Sequence, residues 1–171
     1  MPVSLDASRV IYSALKSAGV SLISALPETW LLHLIRMAED DPSMTLVRLA
    51  KEEEGVGISV GAHLAGVKSA MLMQNHGLLQ SVNGIVSCAQ LYRIPLLMLI
   101  SHRGWFGERD PWQTEGGLVT KPVLDALRIP YEPLDAREHV PGRIANAMTL
   151  AYAANRPVAL LLGRELMWEE A

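Results

Sequence analysis

Four short runs, VSLISAL (20–26), SAMLMQ (69–74), IPLLMLIS (94–101) and PVALLLG (157–163), are almost continuously apolar. A strand covered on one face alternates apolar with polar residues, whereas near-continuous apolar runs of this length suit strands covered on both faces. Such cover needs helices between the strands, and the intervening segments have helical signals. Asp6 is placed to cap a helix through about Ser17, with Gly19 as its stop, and Thr29, after Pro27, to cap WLLHLIRMAE. A helix follows the run MTLVRLA and reaches about Ala65, and LLQSVNGIVSCAQLY forms another. After a long polar and aromatic loop, HRGWFGERDPWQTEGG, come a short helix around KPVLDAL, a short strand near YEPL and the helix VPGRIANAMTLAYAA. The alternation predicts a three-layer α/β/α sandwich with about six parallel strands, in one domain spanning residues 1–171.

Charge and cysteine content exclude several classes. The net charge of −3 is spread along the chain without the basic stripe that nucleic acid binding requires. Cys88 has no partner for an internal disulfide and reads as a buried, inert thiol suited to a reducing cytoplasm. No apolar run reaches the roughly 18–20 residues of a membrane span, and the first residues lack a signal-peptide core. A soluble, cytoplasmic protein is expected.

In parallel sheets ligands gather beyond the carboxyl ends of strands, so the informative stretches are PET, KEEEG, QNHG and the loop from Ser101 to Gly117. KEEEG places Glu52, Glu53 and Glu54 between a buried strand and a helix containing Gly55, Gly57 and Gly61, with Gly66 beyond. An interior helical glycine costs about 1 kcal/mol relative to alanine, so something packs closely there: the sheet, another chain or a ligand. GVGISVG is not a dinucleotide fingerprint, because Val60 stands where the last small residue belongs and three acids would repel a pyrophosphate.

Taken together, KEEEGVGISVGAHLAG, SAMLMQNHGLLQSVNG and LLMLISHRGWFGERDPWQTEGGLVTKPVLDALRIP resemble the pyrimidine-binding domain of thiamine-diphosphate enzymes. The closest resemblance is to the short alpha subunits of sulfopyruvate decarboxylase and the matching half of phosphonopyruvate decarboxylase, and it covers essentially the whole chain. It implies that one glutamate bonds the ring nitrogen N1′ of the cofactor's aminopyrimidine, favouring the imino tautomer that removes the thiazolium C2 proton. Counting back nine residues from Gly61, as the family spacing directs, reaches Glu52; helical phase leaves Glu53 open, since it aligns with Val56, Val60 and Leu64. Glu54 is read as a helix-start acid complementing the dipole.

The resemblance also implies cofactor contacts from Glu28, Thr29, Gln74 and Asn75, and substrate contacts from Asn75, His102 and Arg103. His76 stands where the family usually has a small hydroxyl residue; it is a candidate proton donor or a structural hydrogen-bonding group. Arg103 can hold a carboxylate, sulfonate or phosphonate through bidentate bonds, or pair with Glu108 and Asp110 to order its loop. Trp105, Phe106 and Trp112, three of the chain's five Trp and Phe residues, are natural interface anchors. Asn83 reads as structural.

No Gly-Asp-Gly occurs in the chain, and no metal ligand is assigned to it. The resemblance therefore implies that Mg²⁺ and the diphosphate of thiamine diphosphate are held by a beta-type partner subunit in a hetero-oligomer. The implied reaction is decarboxylation of a small anionic 2-oxo acid, sulfopyruvate or phosphonopyruvate, to an aldehyde and CO₂. An acetolactate-type carboligase subunit, a non-catalytic binding or regulatory module and a generic nucleotide-binding α/β protein are the alternatives.

Overall fold

A computed structural model of the protein describes residues 3–169. Its six strands are β1 (Leu22–Ala25), β2 (Thr45–Arg48), β3 (Ser69–Gln74), β4 (Leu96–Ser101), β5 (Tyr131–Leu134) and β6 (Pro157–Leu162). They form one parallel sheet in the order β2-β1-β3-β4-β6-β5. The two central strands β3 and β4 are buried along almost their whole length, in line with their apolar composition.

Alternate strand residues serve two separate cores. Ile23, Leu72, Leu99 and Leu160 point towards α1 (Leu5–Ser17), α2 (Leu32–Asp40) and α6 (Val140–Ala154). Met71, Met73, Met98, Ile100 and Leu161 point towards α3 (Glu52–Leu64), α4 (Asn75–Gly84) and α5 (Pro111–Ala126). This is the expected three-layer α/β/α arrangement. A single-turn α7 (Arg164–Met167) follows β6. No helix among the described residues is long and apolar enough to cross a membrane.

Several boundaries differ from the sequence expectations. Ser4, not Asp6, caps α1, its hydroxyl accepting from the Ala7 N–H at 3.2 Å. Thr29 caps nothing: α2 begins at Leu32 after Leu31, without a side-chain cap. Glu28 instead accepts from the Trp30 N–H at 3.0 Å and shapes the turn before that helix. Half of the expected polar loop is helical, because α5 starts at Pro111, where a missing N–H costs nothing. α4 continues into a π-helical stretch, Ile85–Gln90, in which half-buried Cys88 packs against the second core.

The chain's direction along the sheet reverses between β1 and β3. β1 leads into α2 on one face, whereas β3 leads into α4 on the other, and this switch is the place where sheets of this kind form a crevice at the strand carboxyl ends.

Candidate active site

The three glutamates of KEEEG have three distinct environments. Glu54 reaches back to accept from the Ala50 N–H at 2.9 Å, closing the first turn of α3. Glu53 is paired with Lys51 at 2.6 Å and accepts from the Asn83 amide at 3.4 Å. The bond from Lys51, with that from Asn83, holds its carboxyl below the usual glutamate range. Glu52 is buried, with 6% exposure, and its carboxylate accepts no hydrogen bond within the described chain.

Glu52 lies directly on Gly77 of α4. A Cβ at position 77 would stand 2.4 Å from both Cγ and Oε1 of Glu52, far inside contact distance. Two helical turns further along α4, a Cβ on Gly84 would come within 3.0 Å of Glu53 Cγ. The close approach expected at the glycines of α3 is therefore made largely by glycines of α4. Within α3, Gly55 does pack tightly, against Leu49, Met71 and Ser24 at 3.0 Å, and Gly66 has φ +76° just beyond the helix. Around Gly57 and Gly61 a Cβ would meet nothing within 4 Å. The role of Gly77 escapes sequence reasoning because its reason, Glu52, sits in another helix.

Past the end of β3, Asn75 is fully buried and its amide donates to the Arg103 carbonyl at 3.0 Å, linking the ends of β3 and β4. Asn75 Oδ1 is buried without a donor. The Gln74 Oε1 accepts from His76 Nδ1 at 3.0 Å, which fixes the ring and leaves Nε2 as its other polar edge. The ring rests on Gly116, where a Cβ would lie 2.5 Å from Cε1 and Nε2. The glycine pair of α5 is thus a seat for His76 on one side and for the β4 loop on the other. A Cβ on Gly117 would be 2.1 Å from the Gly104 carbonyl oxygen, and Gly104 itself has φ +77°.

Arg103 and His102 both have partners within the chain. Arg103 Nε and Nη2 donate to Glu108 at 2.7 and 3.1 Å, Nη2 also donates to Asp110 at 2.8 Å, and the guanidinium lies 5.2 Å from the Trp30 ring centre. Burial alone would raise the Glu108 carboxyl, but bonds from Arg103 and the Gly104 and Asp110 N–H groups draw it down to about 2. His102 Nε2 donates to the Gly117 carbonyl at 3.1 Å and its ring stacks on Trp105 at 5.3 Å; burial pushes its pKa down. Of the two roles open to Arg103, loop ordering is the one this geometry displays.

Burial pushes the Glu28 carboxyl above its ordinary range, against the opposing bond from Trp30 and the charge of Arg103. Its Oε1 is buried without a partner. Thr29 is exposed and stands apart from this set. Phe106 and Trp112 are among the most exposed large side chains, at 80% and 71%, and Trp105 is partly covered by His102. No group of three His, Cys, Asp or Glu residues able to hold a metal occurs among the described residues.

The arrangement supplies Glu52, a residue 6% exposed whose carboxylate has no donor within the described chain, and buried acceptors that include Asn75 Oδ1 and Glu28 Oε1. These are carried by the segments that border the crevice. Such a set fits an aminopyrimidine, a flat heterocycle with nitrogen-borne protons to donate.

The family model for the N-terminal TPP binding domain of thiamine pyrophosphate enzymes matches residues 5–111. The sulfopyruvate decarboxylase subunit alpha of Methanococcus maripaludis is 36% identical over 96% of this chain and 98% of that protein. A sulfopyruvate decarboxylase of Methanosarcina acetivorans is 29% identical over 93% of this chain, which spans only 40% of that longer protein. Among solved structures, the 2-oxoglutarate:ferredoxin oxidoreductase from Magnetococcus marinus superposes with a TM-score of 0.75 at 18% identity, covering 98% of this chain and 30% of that one, a likeness of fold. With the sheet order, the crevice and the match over most of its length, the chain belongs to the thiamine pyrophosphate enzymes, as their N-terminal TPP-binding domain.

Proposed function

We propose that this chain, as one pyrimidine-binding domain, is the alpha subunit of a cytoplasmic thiamine-diphosphate-dependent decarboxylase converting sulfopyruvate to the corresponding aldehyde and CO₂. The observation that carries this reading is Glu52, buried on Gly77 with its carboxylate free of internal hydrogen bonds. Neither of its oxygens is fully enclosed, so the carboxylate reaches the surface without an internal partner, and a ligand's donor can complete it there. When bound, the cofactor supplies the electron sink that decarboxylation of a 2-oxo acid needs.

In this reading Glu52 would hold the cofactor's aminopyrimidine through a proton shared with its carboxyl, and Gly77 fixes where that carboxyl stands. Asn75 Oδ1 and Glu28 offer acceptors near the same crevice. His76, oriented through Nδ1 by Gln74, exchanges a proton with the reacting substrate at Nε2. Arg103, through Glu108 and Asp110, keeps the loop after β4 in place beside it.

The diphosphate and Mg²⁺ are assigned to a beta-type subunit. Support comes from the relative named as a subunit alpha, which this chain matches over 98% of its length, and from the longer relative of which this chain matches 40%. Reconstitution with the beta-type chain, thiamine diphosphate and Mg²⁺, followed by aldehyde assay with sulfopyruvate, phosphonopyruvate and pyruvate, tests the proposal. Sulfopyruvate is expected to be the preferred substrate. Carboligated product would favour the synthase alternative, and absence of turnover with all three acids would overturn the decarboxylase reading.

A further inference from the structure

The opposite end of the sheet carries a second polar concavity, of about 350 Å³, lined by Gln90, Arg93, Arg128, Asn155 and Arg156 among others. Its origin is topological. Strands β4, β6 and β5 are neighbours in that order, so the turns that precede them lie side by side, and each contributes one arginine: Arg93 before β4, Arg156 before β6 and Arg128 before β5. The strands are six residues or shorter, so at about 3.3 Å per residue this cup lies roughly 20 Å from the carboxyl-end crevice.

No carboxylate lines the cup, and none of the three arginines enters an ion pair among the described residues. In a chain of net charge −3, with 18 acids to 15 lysines and arginines, that is an uncompensated local excess. Arg156 donates through Nη2 to the Arg128 carbonyl, while its Nε is buried without an acceptor. Arg93 and Arg128 also occupy left-handed backbone positions, with φ 55° and 53°; the equivalent positions beyond α1 and α3 are Gly19 and Gly66. The attraction of cations to helix carboxyl ends accounts for each arginine singly. It leaves unexplained the orphaned Arg156 Nε and the presence of arginine where glycine is least strained.

We propose that this cup is a second ligand site, which binds the di- or triphosphate group of a small molecule. Guanidinium forks match phosphate oxygens, and three of them with the Asn155 amide provide donors on several sides, while the Gln90 amide is held by the Leu127 carbonyl at 2.7 Å. The site is independent of the Glu52 centre and of the decarboxylase reading.

Calorimetric titration of the full chain at 0.15 M salt with inorganic tripolyphosphate, with ATP and with sulfate tests it. Saturable 1:1 binding of tripolyphosphate or ATP, with sulfate far weaker, is expected; tighter binding of ATP would assign the source to a nucleotide, and equal binding to a free polyphosphate. Arg93→Gly and Arg128→Gly relieve backbone strain, so each variant should keep or raise the melting temperature while weakening binding about tenfold. Lack of saturable binding, sulfate binding as tight as tripolyphosphate, or unchanged affinity in the folded double variant would overturn the proposal.

Discussion

Glu52 Oε1 stands 2.4 Å from the point where a side chain on Gly77 would begin, so the acid of one helix is positioned by the missing side chain of the next. A Gly77→Ala variant must displace the carboxylate. Overpacking of this kind costs about 1–3 kcal/mol, and a displacement on the order of 1 Å at a reacting group lowers turnover by about 10²-fold. Steady-state kinetics and thermal melting of the assembled enzyme are expected to show a loss of turnover out of proportion to the loss of stability.

The Arg103–Glu108 pair is the best-made ion pair of the site, with Glu108 side-chain exposure of 5%. Glu108→Gln leaves Arg103 with Asp110 alone, and we expect a loss of about 3 kcal/mol, the low end for breaking a buried pair. In a chain of this length that corresponds to a fall in Tm of roughly 6–12 °C. Because the folded-state carboxyl is drawn down to about 2, the pair's stabilisation is complete above the ordinary glutamate value of ~4.3. It is lost as pH falls from there through about 2. The wild-type protein should lose stability across that window relative to Glu108→Gln.

Glu28 has the opposite sign. Its carboxyl is raised by burial, so its contribution is fully present below ~4.3, where both folded and unfolded forms are protonated. That contribution is lost as pH rises through the folded value. Glu28→Gln should therefore melt above the wild-type protein at pH 7 and together with it near pH 3. Equal melting temperatures at both pH values would contradict the assignment.

Gly57 and Gly61 face open space, and alanine at either should stabilise the isolated chain by about 1 kcal/mol through helix propensity, or roughly 2–4 °C in Tm. If the beta-type subunit covers this face of α3, the bulkier Gly61→Leu will weaken assembly. Comparing melting of the chain alone with its affinity for the partner separates the two effects.

The strands were legible because the central ones are covered on both faces and their apolar runs are nearly uninterrupted, and VPGRIANAMTLAYAA was read to its observed limits, Val140–Ala154. The start of α5 was hidden by Trp112, Gln113 and the Gly116–Gly117 pair, which suggest a loop. Those glycines serve contacts with His76 and Gly104 that no local pattern records; Pro111 was the available signal. Glu108 and Asp110 were readable as partners for Arg103 because they lie in the same loop. Helical phase could not separate Glu52 from Glu53. What distinguishes them lies largely in α4: Asn83, with the neighbouring Lys51, occupies the Glu53 carboxylate, whereas the Glu52 carboxylate rests on Gly77 without a donor.

The central claim is that Glu52 is the acid that serves the cofactor. Its most direct test is turnover of sulfopyruvate by the reconstituted complex carrying Glu52→Gln or Glu53→Gln, with subunit assembly verified by sedimentation. The account predicts a loss of about 10²–10⁴-fold, the range for a group that moves a proton in the reaction, for Glu52→Gln with assembly intact. It predicts a change of only a few-fold, about the cost of a surface ion pair, for Glu53→Gln. Near-normal turnover by Glu52→Gln, or a large loss confined to Glu53→Gln, would contradict it.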